Sequence, residues 1–166
     1  MSVRTAACGQ RTGDARKDDP QNRCRQSSCH GPGLALWRVT NAWQRTIRTA
    51  LVAHRLTHVQ FVLLASLTWM DRSVPVTQRD LADHARTDVM MTSQVIRALE
   101  AKGYVVRSPH PTDGRAFTLS PTAEGIAVAN SANADVEAAD RDYFAALGSE
   151  DLVVFTRLLR TLDHRG

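Results

Sequence analysis

The sequence predicts a mainly α-helical protein with one small β-hairpin. Three observations lead there. From Leu34 onward, apolar side chains recur at steps of three and four residues over most of the chain. Capping residues at Thr57, Thr77, Ser120 and Ser149 divide that pattern into separate helices. Only between Tyr104 and Leu119 does the pattern give way to short strand-like runs around a loop containing Pro and Gly.

Each element has its own reason. The first helix carries Leu36, Val39, Trp43, Ile47 and Ala50 on one face. Thr57 is an N-cap, and Gln60 three residues later completes a capping box. The second helix therefore follows, with Phe61, Leu64, Ala65 and Thr68 on one face, and stops at Asp71-Arg72-Ser73-Val74-Pro75. Thr77 with Asp80 opens a short third helix whose apolar side begins with Leu81 and Ala82. A turn at Arg86-Thr87 leads to a fourth helix over about residues 88–102, with the stripe Thr92, Val95, Ile96 and Leu99. Lys102 suits the negative helix end, and Gly103 the left-handed residue that closes it.

The strands are Tyr104-Val105-Val106-Arg107 and Ala116-Phe117-Thr118-Leu119, joined by a loop over residues 108–115. Ser120 is expected to cap, and Pro121 to begin, a long Ala-rich helix reaching about Leu147. Ser149 is expected to cap a last helix, with Glu150 and Asp151 in its positive first turn. Leu152, Phe155, Leu159 and Leu162 give that helix a heptad-like seam.

A chain of 166 residues that is 43% hydrophobic suits one domain with a sizeable core. No run of about 18 apolar residues exists, so no membrane span is expected. The start Met-Ser-Val-Arg lacks the apolar stretch of a secretory signal, which makes the cytoplasm the expected location. Residues 1–33 hold almost no large apolar side chain and read as a disordered basic tail closed by Gly31-Pro32-Gly33. Cys8, Cys24 and Cys29 all lie in that tail, which excludes a disulfide-stapled fold.

The net charge of +4 conceals a division along the chain. Residues 34–120 hold 11 basic and 6 acidic side chains, whereas residues 121–166 hold 4 basic and 8 acidic. A basic middle suits a polyanion partner, although scatter on a solvated surface gives the same count.

The element order adds a discriminating detail. A short helix, a tight turn and a second helix form a helix–turn–helix, and the hairpin directly after it makes a winged helix. Opposite the apolar stripe of the fourth helix lie Met90, Ser93, Gln94 and Arg97. Gln and Arg bond adenine and guanine edges bidentately, and Ser reaches phosphate or base.

At this point the chain resembles the multiple-antibiotic-resistance regulators, the MarR family. The resemblance rests on Leu56-Thr57-His58-Val59-Gln60-Phe61, on Thr77-Gln78-Arg79-Asp80-Leu81-Ala82, and on Leu99-Glu100-Ala101-Lys102-Gly103-Tyr104-Val105-Val106-Arg107. Pro111-Thr112-Asp113-Gly114-Arg115-Ala116 matches the wing, and Leu119-Ser120-Pro121-Thr122-Ala123-Glu124-Gly125 the start of the fifth helix. With flanking helices it covers about residues 34–163.

That resemblance implies a domain over residues 34–166: a dimerisation helix over 34–56, the winged helix–turn–helix over 57–120, and a long helix and dimerisation helix over 121–166. It implies a homodimeric regulator of transcription, expected to be a repressor, whose two lobes reach successive major grooves about 34–36 Å apart on a pseudo-palindromic operator. Asp113 and Arg115 stand at the family's wing pair, the arginine entering the minor groove and the aspartate holding it. Gly114 departs from a position that is often basic, and Gln94 from one that is often arginine, so sequence preference does not transfer. Ser93, Gln94 and Arg97 are assigned to groove reading, Arg86 and Arg107 to phosphate positioning. Arg107 has the alternative of pairing with a nearby carboxylate.

The family often senses small aromatic molecules between its dimerisation and DNA-binding parts. Trp37, Trp43, Trp69 and His58 are available to line such a cleft, and core packing accounts for the tryptophans equally well; no ligand residue is assigned. No catalytic motif, cofactor or metal site is expected: the i, i+4 pair His54 and His58 is interrupted by the Thr57 cap. Two alternatives remain at this stage. One is a winged-helix module that binds protein. The other is a redox-responsive regulator using the tail cysteines beside Arg16, Lys17, Arg23 and Arg25.

Overall fold

Local caps decide where the helices begin. In the computed structural model, which describes residues 31–71 and 73–163, α1 spans Pro32–Ala50 and α2 His58–Trp69, with a 3-10 turn over Leu51–His54 between them. The short α3 is Gln78–His84 and α4 is Val89–Ala101. Strands β1 (Val105–Pro109) and β2 (Phe117–Pro121) precede the long α5 (Ala123–Phe144) and α6 (Ser149–Asp163). Both capping boxes form: Thr57 exchanges bonds with Gln60, and Thr77 with Asp80. Gly103 has φ +74, the left-handed closure expected after Lys102.

The chain divides after Thr40 into two units. The described part of the first, residues 31–40, is helical from Pro32. Its first turn contains Pro32 and Gly33, placed by the sequence in the tail, because the fixed φ of proline suits the first helical position. The expected tail over residues 1–30 and the three cysteines lie outside the described residues.

The second unit is built around α2. Phe61, Leu63, Leu64, Ala65, Leu67 and Thr68 are all buried, so the helix is enclosed on more than the single face its periodicity predicted. It packs against α4, α5, α3 and β2. Ile47, Leu51, Leu81, Ile96, Leu99 and Val105 complete the fully buried core. The buried Thr68 hydroxyl is satisfied by donating to the Leu64 carbonyl at 2.7 Å.

The hairpin is antiparallel, from Val105 opposite Pro121 to Pro109 opposite Phe117. A bridge between Thr77 and Thr118, with Leu119 N–H donating to the Val76 carbonyl at 2.8 Å, ties the start of α3 to β2.

The bounds of α5 and the start of α6 differ most from the sequence reading. Ser120 and Pro121 are not the cap and first turn of α5, because both remain paired in β2. Thr122 caps instead: its hydroxyl accepts from Gly125 N–H at 2.9 Å and donates to the Gly103 carbonyl at 2.7 Å. The helix stops at Phe144 rather than Leu147. Ser149 is the first helical residue of α6, whose first backbone bond runs from Leu152 N–H to the Gly148 carbonyl at 2.9 Å.

Glycine is required at 125. A Cβ there would lie 2.1 Å from the Tyr104 carbonyl oxygen, inside any permitted contact. Its absence lets the first turn of α5 press against the start of β1. Among the described residues, no single helix is long and apolar enough to cross a membrane.

Candidate nucleic-acid interface

The turn between α3 and α4 aims α4. Arg86 occupies the left-handed region at φ +50, and Thr87 N–H donates to the Ala82 carbonyl at 2.9 Å. The Asp88 carboxylate then caps α4 by accepting from Met91 N–H at 3.0 Å. The buried Thr92 hydroxyl joins the Asp88 carbonyl at 2.9 Å and the Thr87 hydroxyl at 2.8 Å. These bonds fix both the start of the helix and its rotation.

That rotation divides α4 as its sequence predicted. Thr92, Ile96 and Leu99 are fully buried, with Val95 half-buried beside them. At about 100° per residue, Met90, Gln94 and Arg97 fall on the opposite side, and all three are exposed. Ser93 lies on the flank and is half-buried.

The wing loop is organised by its own side chains. The His110 Nδ1 accepts from Thr112 N–H at 3.3 Å and Asp113 N–H at 3.2 Å. The Asp113 carboxylate accepts from the backbone N–H of Arg115 at 3.0 Å. Aspartate thus holds the arginine's backbone and leaves its guanidinium extended into solvent. Neither Arg97 nor Arg115 forms an ion pair with a described residue.

The other two arginines differ from these. The Arg107 side chain is half-buried under the hairpin, its Nε 3.2 Å from Glu100 Oε2 on α4 and its Nη2 donating to Gln78 Oε1 on α3 at 3.3 Å. The enclosed Nε is not aligned as a hydrogen-bond donor, so the contact with Glu100 is chiefly charge attraction. Arg107 therefore takes the carboxylate-paired alternative and braces the wing against both helices. Arg86 Nε lies 3.7 Å from Asp163 Oδ1, with both side chains more than half exposed, so water screens that pair strongly.

Gln78, Glu100 and His110 are the residues that sequence reasoning missed. Gln78 is 29 positions from Arg107, and no local pattern announces such a contact. His110 had a visible signal, since His-Pro-Thr-Asp is a turn-forming run.

A second cluster joins the first helix, α2 and α5. Trp43 Nε1–H donates to Asp140 Oδ1 at 2.6 Å, and its ring meets His58 edge-on at 5.2 Å. Burial pushes the His58 pKa below its usual value of 6.5, the Arg48 cation adds to that, and Asp140 opposes it. His54 instead pairs with Asp135 at 2.6 Å. Trp69 is at the far end of α2 from His58, about 16 Å along the axis. Its Nε1–H donates to Asn130 Oδ1 at 3.4 Å. Of the aromatic residues available to line a cleft, Trp43 and His58 meet, while Trp69 stands at the other end of α2.

Known proteins share this architecture. A family model described as MarR family matches residues 56–117. The uncharacterized HTH-type transcriptional regulator YdcH of Bacillus subtilis is 45% identical over 116 residues, spanning 69% of this chain and 79% of YdcH. The HTH-type transcriptional repressor Rv2887 of Mycobacterium tuberculosis is 33% identical over 130 residues, 78% of this chain and 91% of Rv2887. The crystal structure of Rv2887 with DNA matches at TM-score 0.62 and 31% identity, covering 80% of this chain and 97% of that one. Its complex with salicylic acid matches at TM-score 0.63 and 32% identity, covering 80% and 96%.

Proposed function

The chain belongs to the MarR family, and from that membership we propose that it is a cytoplasmic, sequence-specific transcription regulator of double-stranded DNA, a homodimeric repressor released by a small aromatic effector. The observation that carries this reading is the exposed side of α4, where Gln94 and Arg97 project beside a wing that extends Arg115.

The division of labour follows from chemistry. Gln94 and Arg97 offer the bidentate donors that read purine edges in a major groove, with Ser93 at their flank. Arg115 is free to enter a minor groove, where narrow width concentrates negative potential. Asp113 and His110 shape the wing that presents it. Arg86 is available to a phosphate only when it leaves Asp163. Arg107 contributes through the position of the wing rather than by touching DNA.

The dimer is supported by α6. None of its described residues is buried, yet Leu152, Val153, Val154, Leu158, Leu159 and Leu162 are exposed large apolar side chains. A second copy covering them would remove this surface from water and set two lobes on one duplex face. That Rv2887 has been crystallised with salicylic acid supports a small aromatic acid as the effector class.

Selection of genomic fragments by the purified protein tests the reading. Enrichment of a pseudo-palindromic motif with half-sites one helical turn apart, released on adding salicylate, is the expected result. Capture no better than that of random duplex would refute sequence-specific binding.

A further inference from the structure

The start of α4 is apolar where a DNA-reading helix is expected to be polar. Val89, Met90 and Met91 form its first turn, exposed to 42%, 71% and 38%. No cation stands among residues 88–93, and the Asp88 carboxylate is already used in capping Met91 N–H. Met90 lies one turn before Gln94 on the same line of the helix, and Arg97 lies beside both. An exposed methionine one turn before the polar pair Gln94 and Arg97 gains nothing in water. It gains when an apolar surface covers it.

A DNA major groove presents one such group, the C5-methyl of thymine. The N-terminal residues of a recognition helix are the ones that reach base edges. Met90 is therefore continuous with the purine-reading pair and is carried into the groove with it. Its unbranched, polarisable side chain adapts to a methyl without demanding a single rotamer. We infer that Met90, flanked by Val89 and Met91, reads thymine by its methyl group, so each operator half-site contains a thymine next to the purine read by Gln94 or Arg97. The inference rests on the DNA-binding reading of α4 and adds a specificity determinant to it.

The test uses the full-length protein and the duplex recovered by genomic selection, synthesised with each thymine of a half-site replaced in turn by deoxyuridine. Uracil keeps every hydrogen-bonding group of thymine and loses only the methyl. At the contacted position, affinity should fall about fourfold, the effect of one buried methyl group. A Met90→Ala variant should bind the thymine duplex more weakly and no longer distinguish it from the uracil duplex. Met90 is too exposed to support the fold, and an unchanged thermal melt checks this. Equal affinity of the native protein for all the duplexes overturns the inference while leaving sequence-specific binding intact. Full discrimination retained by Met90→Ala also overturns it. Failure of the native protein to prefer the selected duplex over random DNA defeats the DNA-binding reading itself.

Discussion

Replacing Arg115 by alanine separates the wing's shape from its charge. The turn is held by the backbone N–H of Arg115 donating to Asp113 at 3.0 Å, and alanine keeps that N–H. The guanidinium forms no ion pair with a described residue, so its removal leaves no buried partner unsatisfied. Folding stability should therefore change by less than about 0.5 kcal/mol. Binding should change far more. One charge-assisted hydrogen bond contributes about 1.5 kcal/mol, and a dimer presents two wings, so operator affinity should fall roughly a hundredfold. Loss of two cations should also flatten the dependence of log K on log salt by about 1.8. Fluorescence anisotropy at several salt concentrations measures both quantities, and a thermal melt checks the fold. Asp113→Asn keeps an oxygen for the turn and should bind nearly as the native protein does, whereas Asp113→Ala should not. An unchanged salt slope for Arg115→Ala, or an unfolded variant, would refute this account of the wing.

Other expectations follow from the same contacts. Gly125→Ala places a Cβ 2.1 Å from the Tyr104 carbonyl oxygen. Overpacking should outweigh the helix propensity gained, for a net loss of about 2 kcal/mol or roughly 4–8 °C in Tm by calorimetry. Leu152→Glu with Leu159→Glu alters side chains that the chain's own core does not bury, so sedimentation should find a folded monomer, and a persistent dimer would disprove the role of α6. Because the His58 pKa is lowered in the folded state, the unfolded chain takes the proton first. The stability that neutral His58 contributes is complete above its usual value of 6.5 and is lost as pH falls through the folded pKa. Thermal melts from pH 8 to about 5 should then show a steeper decline for the native protein than for His58→Gln.

The features legible in the sequence are those whose partners are close along the chain. Thr57 and Thr77 cap helices by bonding to groups three residues away, so their motifs carry their own geometry. The apolar stripe of α4 is similarly local, and the outward placement of Gln94 and Arg97 follows from it. Gly103 ends its helix because only glycine adopts the left-handed region without cost.

Distant partners decided the rest. Ser120-Pro121 has the local form of a helix start, yet pairing with β1 keeps both residues in the hairpin and passes the cap to Thr122. A carboxylate partner for Arg107 was among the expected alternatives, but only the fold brings Gln78 on α3 to the same side chain beside Glu100. Asp113 was expected to hold Arg115, and the structure shows the bond made to the Arg115 backbone N–H, in a turn that His110 also organises. Short-range hydrogen bonds and helical periodicity are written in neighbouring residues. Which side chains meet across the fold, as Gln78 and Arg107 do from 29 positions apart or Arg86 and Asp163 from farther still, only the tertiary structure decides.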